Sequence, residues 1–212
     1  MIGQGVLREC LRDPDVQLVQ TVGRNVTGMQ HSKLREVVHA DLANYRPIEA
    51  QLAGFSACFW CLGVTSAGKT EAEYDRVTYG FTMAAAETLA PLNPRMVFVF
   101  VSGVGTDSTE RGRLMWARVK VKTENALLRM FPSAYMFRPG FIQPLDGIQS
   151  RTPLYRWLYV LSTPLLPLLR RAFPNQILTT QEIGRAMLLV TRNGASKRVL
   201  EPRDIRALLD GR

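Results

Sequence analysis

Six apolar residues in a row, Met96-Val97-Phe98-Val99-Phe100-Val101, end on Ser102 and a glycine turn, Gly103-Val104-Gly105. A run this rich in Val and Phe offers no polar face to water, so Arg95–Ser102 reads as a strand buried on both sides. Such strands belong to parallel sheets, whose crossover connections lay helices over both faces. The next segment fits. Asp107 with Glu110 three residues on reads as a helix start, and a helical pattern carrying Trp116 and Lys120 runs to Met130. A serine therefore stands at the carboxyl end of a buried strand, and a lysine on the helix that follows. In open α/β sheets ligands collect at that end.

The rest of the chain repeats the alternation. Residues 3–11 read as a helix with Val6, Leu7, Cys10 and Leu11 on one face, ended by Asp13-Pro14. Strands are predicted at 16–22, 34–40, 56–62 and 134–138, and a short helix at 47–52. Thr70-Glu71-Ala72-Glu73 is a capping box that opens a helix to about Leu89, with Pro91 as its stop. Thr179 with Glu182 caps a helix through about Arg192. A short strand at 197–201 and a helix at 202–209 close the chain. Strands separated by helices mean a doubly wound parallel sheet, a Rossmann-like α/β domain with a small C-terminal substrate-side region. Residues 1–140 carry this alternation, and 141–212, where the pattern changes, read as part of the same domain.

Within 212 residues, 46% hydrophobic and 21% charged, there is room for one sizeable core. The net charge of +9 is uneven: residues 1–150 hold 16 Lys+Arg against 14 Asp+Glu, and residues 151–212 hold 11 against 4. Such a basic third meets phosphates or an acidic surface, or is simply a solvated face. Cys10, Cys58 and Cys61 make no disulfide framework. Cys58-Phe59-Trp60-Cys61 has redox spacing, but three residues apart on a strand point to opposite faces, which disfavours that chemistry. Two histidines, His31 and His39, form no metal-ligand pattern, so no metal is expected. The start lacks signal-peptide character, and a cytoplasmic protein is expected. Residues 155–171, apolar with Pro164 and Pro167 inside and Arg170-Arg171 at the end, read first as a flap over the ligand crevice and second as a membrane-surface anchor. No nucleic-acid module is visible.

Several short stretches share a pattern: Met1-Ile2-Gly3-Gln4-Gly5-Val6-Leu7, Val22-Gly23-Arg24, Asp41-Leu42, Cys61-Leu62-Gly63, Val101-Ser102, the helix with Lys120, and Phe137-Arg138-Pro139-Gly140. In this order they resemble the short-chain dehydrogenase/reductase superfamily. The likeness is to the compact NAD-dependent epimerase/dehydratase type, in the atypical branch that includes Tat-interacting oxidoreductase-like proteins. The resemblance implies a nicotinamide dinucleotide, with hydride transfer to or from a small apolar carbonyl or alcohol. Gly3 matches the third glycine of the family's phosphate-binding turn. The first strand and first two glycines are absent, which reads as a truncated or misplaced start, or else as a shortened protein with weak dinucleotide affinity, and would leave two strand edges facing a gap.

The remaining positions follow by resemblance. Arg24, just after the second family strand, favours the 2′-phosphate of NADP over NAD. Asp41 and Leu42 border the adenine. Cys61, Leu62 and Gly63 pass beside the cofactor, and Pro139, Gly140 and Ile142 pass the nicotinamide. Gly140 is read as tolerating unusual backbone angles, and Phe141 and Gln143 join Ile142 on the substrate side. Ser102 and Lys120 match the catalytic serine and lysine, but Trp116 stands where the tyrosine is expected. An indole N–H is no acid or base near neutral pH. Ser102, Thr106, Ser108 or water must then handle the proton; alternatively the chain is a catalytically silent dinucleotide sensor or interaction module.

Overall fold

The computed structural model describes residues 1–145 and 176–211. In chain order these form α1 (Ile2–Arg12), β1 (Val19–Gly23), β2 (Leu34–Val38), a 3-10 turn (Arg46–Gln51), β3 (Ala57–Trp60), α2 (Glu71–Asp75), a π turn (Arg76–Gly80) and α3 (Phe81–Leu92). Then come β4 (Val97–Val101), α4 (Met115–Met130), β5 (Ala134–Phe137), β6 (Phe141–Gln143), β7 (Ile177–Thr179), α5 (Thr180–Asn193), β8 (Val199–Leu200) and α6 (Pro202–Leu209). Every strand pairing is parallel: β1 with β2, β3-β4-β5-β8 as one sheet, and β6 with β7.

Side-chain alternation along β4 divides the core. Phe98 and Phe100 join Ile48, Leu89, Leu127 and Met136 on one face. Val99 and Val101 join Val6, Ile183, Met187 and Ile205 on the other. Helices α3 and α4 thus cover one side of the sheet, and α1, α5 and α6 the other. This is the doubly wound sandwich expected. The helices α1 and α5 touch closely: a Cβ on Gly5 would stand 2.5 Å from Thr180 Cβ, and one on Gly184 would stand 2.9 Å from Glu9.

Among the described residues no backbone hydrogen bond joins β1 to β3, so each keeps one open edge. All residues of both strands are half-buried, whereas β4 is buried from Phe98 to Val101.

Two local expectations are corrected. Asp107 does not start a helix. Its Oδ1 accepts from the Thr109 N–H at 3.0 Å and its Oδ2 from Thr109 Oγ1 at 2.7 Å, a turn that leads to Glu110 at φ +62°. Helix α4 begins eight residues later without a side-chain cap, and Arg118 Nη1 donates back to Gly112 O and Arg113 O at 3.0 and 3.1 Å. Pro91 does not stop α3 at Leu89. It sits in the last turn, and Asn93 ends the helix by donating its N–H and Nδ2 to Leu89 O. The pairing of β6 with β7, which follows Gly140, is a further addition. The capping boxes at Thr70 and Thr179 are both present. Residues 155–171 lie outside the described residues. No helix among the described residues is long and apolar enough to cross a membrane.

Candidate functional site

Ser102, Trp116 and Lys120 converge at the carboxyl end of β4. The strand positions Ser102 through its N–H, which donates to Phe137 O on β5 at 2.7 Å. Its Oγ is buried with no hydrogen-bond partner among the described residues. Lys120 reaches back from the second turn of α4, and its Nζ donates to Val101 O at 2.9 Å. Nζ also lies 5.2 Å from the centre of the Phe100 ring. Burial pushes the Lys120 ammonium down to about 8, against a smaller opposing pull from Glu124. One turn earlier, Trp116 lies over the backbone of Gly103, where an added Cβ would be 3.5 Å from Trp116 Cζ3.

A second convergence joins α1 to β3. A Cβ on Gly3 would be 3.3 Å from Cys61 Cβ, so the first turn of α1 lies directly against the end of β3. The N–H groups of that turn have no side-chain cap. Leu62 packs on the core, and Gly63 faces open space. Cys58 and Cys61 pack against opposite core faces. Burial pushes both thiols up to about 12, which removes the thiolate that redox exchange needs.

The other predicted positions sit as follows. Arg24 is exposed just beyond β1, with no ion pair or hydrogen bond among the described residues. Asp41 Oδ1 accepts from the Ala43 N–H at 3.0 Å, while Leu42 is buried in the core. Pro139 O accepts from the Val104 N–H at 3.3 Å, tying the turn after β5 to the turn after β4. Gly140 is required by space rather than by its backbone angles: a Cβ there would be 2.6 Å from Gln176 O. Along β6, Ile142 is buried, Phe141 is 42% exposed, and Gln143 Oε1 is buried without a partner among the described residues.

The sequence reading missed the frame beneath the site. Arg138 Nε donates to both oxygens of Glu124 at 3.1 and 3.2 Å, and its Nη2 to Oε2 at 2.5 Å. Arg138 also donates to Thr106 O, Ser108 Oγ and Glu201 Oε1 at 3.3, 3.1 and 3.0 Å. Thr106 Oγ1 donates to Gly103 O at 3.0 Å. Both candidate hydroxyls are thus engaged in holding the 103–110 loop. The available signal was an acidic residue, Glu124, on a helix face that otherwise reads as core.

No family model and no curated sequence matches the chain. Solved structures do. UDP-N-acetylglucosamine 4-epimerase from Bacillus cereus superposes with a TM-score of 0.65 at 13% identity, over 94% of this chain and 73% of that one. WbmF from Bordetella bronchiseptica, solved in complex with NAD+, gives 0.64 at 12%, over 99% and 74%. The oxidoreductase ylbE from Lactococcus lactis gives 0.62 at 15%, over 99% and 91%. The chain shares the Rossmann-like α/β fold of these structures. Within that fold, the ends of β3, β4 and β5 form one edge of a parallel sheet, and Cys61–Gly63, Ser102 and Arg138–Gly140 all lie on it.

Proposed function

We propose that the chain binds a nicotinamide dinucleotide and supports hydride transfer to or from a small apolar carbonyl or alcohol. The observation that carries this is an unpartnered Ser102 hydroxyl at the end of β4, with the Lys120 amine bonded to the preceding carbonyl, Val101 O, on a fold shared with a structure solved with NAD+. The uncapped first turn of α1 against Cys61 suits a pyrophosphate, since free helix N–H groups favour anions. Gly63 leaves space for the cofactor's close approach. Arg24, exposed and unpaired among the described residues, suits a 2′-phosphate, which favours NADP over NAD. A bound dinucleotide would carry the hydride. The chain's own part is to bond the substrate oxygen through Ser102 and to hold a cation or amine beside it through Lys120. The exposed Val104 and Leu114 between Ser102 and α4, and the exposed Phe141 on β6, favour an apolar substrate.

Titration with NADPH and NADH, followed by nicotinamide fluorescence, tests the reading. NADPH should bind more tightly, and Arg24→Ala should weaken NADPH far more than NADH. Equal loss would remove the 2′-phosphate assignment, and no binding of either would remove the dinucleotide.

A further inference from the structure

Lys120 has the surroundings of a reactive amine rather than of a counter-ion. Among the described residues it touches a carbonyl oxygen, Val101 O at 2.9 Å, and the Phe100 ring at 5.2 Å, and neither carries a full negative charge. The acidic side chain one turn further along α4 is Glu124, and both its oxygens are taken by Arg138. One turn back stands Trp116, which neither gives up nor accepts a proton near neutral pH. The next residue after the carbonyl that Lys120 bonds is Ser102, whose Oγ is buried and unpartnered among the described residues. The loop leading from there to α4 carries two exposed apolar side chains, Val104 at 46% and Leu114 at 57%. Lys120 as a residue is half-buried. Burial that disfavours its charged form leaves a share of neutral amine at ordinary pH.

We propose that Lys120 is a carbonyl-capturing amine, forming a reversible imine with apolar aldehydes that enter beside Ser102. The Nζ lone pair forms the C–N bond as the carbonyl π pair moves to oxygen. A proton then passes from nitrogen to that oxygen, giving a neutral carbinolamine whose hydroxyl the Ser102 Oγ hydrogen-bonds. The nitrogen lone pair expels the hydroxyl group, which takes the remaining nitrogen proton and leaves as water. Amine and aldehyde go in, imine and water come out, and nothing is oxidised. This chemistry needs no dinucleotide and stands apart from the function proposed above.

The test treats the full chain with hexanal and sodium cyanoborohydride at about pH 7.4 and maps the modified peptides. Cyanoborohydride reduces an imine to a stable hexylamine. An amine with pKa about 8 is roughly one-fifth neutral at that pH, whereas an ordinary lysine is neutral in about one part in a thousand. Lys120 should therefore label about a hundredfold faster than Lys69 or Lys197, and the label should be lost when the reductant is left out. Mapping separates it from the N-terminal amine, which is also weakly basic. Labelling of Lys120 no faster than Lys69 overturns the proposal, whether or not NADPH binds.

Discussion

Arg138 and Glu124 are joined by three hydrogen bonds of 2.5 to 3.2 Å, and both side chains are buried. The pair links the end of β5 to the middle of α4, and through Thr106 and Ser108 it fixes the loop that follows Ser102.

Removing one partner strands the other charge in the core. Arg138→Met should cost about 3–5 kcal/mol in urea unfolding. Lys122→Met breaks an exposed bridge to Asp75 of 2.7 Å and should cost no more than about 1 kcal/mol. Similar losses for the two would show that the buried pair has no special structural weight.

Lys120 gives a pH signature. Its folded-state pKa is about 8 against an ordinary 10.5, so the unfolded chain holds the proton to higher pH. Its contribution to stability therefore improves as pH rises from about 8 to 10.5, and its buried charge is unfavourable below that window. Lys120→Met should be more stable than the parent at pH 7, and the difference should shrink by pH 10. The raised cysteine thiols act in the opposite direction but are common to both proteins. A difference constant across chemical denaturation at both pH values would contradict the assignment.

Trp116→Tyr places a phenol one helical turn before Lys120, whose cation favours the phenolate. If Ser102 and Lys120 are set for proton transfer, NADPH-dependent reduction of apolar aldehydes should rise tenfold or more. An unchanged rate would mean that the indole is not what limits the reaction.

Gly5 lies within a helix, where alanine is normally favoured by up to about 1 kcal/mol. Here the added Cβ would meet Thr180 Cβ at 2.5 Å and Thr180 O at 2.9 Å. Gly5→Ala should therefore lower stability by about 1–3 kcal/mol. Gly63→Ala, with open space around it, should change thermal unfolding little.

The open edges of β1 and β3 make the gap between them testable. An apolar strand with a two-glycine turn, fused ahead of Ile2, should slow amide exchange in Val19–Gly23 and Ala57–Trp60 and raise NADPH affinity at least tenfold. Unchanged exchange in both strands would show that the gap does not accept a strand.

Sequence patterns exposed the architecture where local signals and burial agree. The run ending on Val101 and the boxes at Thr70 and Thr179 were legible. Asp107 misled because the same side chain that caps a helix also closes a turn two residues long. Only Glu110 in the left-handed region separates the two outcomes, and no pattern announces it. The strands β6 and β7 are three residues each and lie far apart in the chain, so neither carries a period long enough to read. Arg138 and Glu124 escaped because a buried charge is recognised by its partner, and partners fourteen residues apart share no local motif.

The seat of α1 has a consequence for synthesis. Its apolar face, with Val6, Leu7, Cys10 and Leu11, leaves the ribosome long before the helix that covers it. The helix it packs against begins at Thr180, and Glu9 waits for Arg185, 176 residues later. At translation speeds of 5–20 residues per second that interval is roughly 9–35 s. For all of that time α1 carries a bare hydrophobic stripe on the nascent chain, which a chaperone's cover would protect.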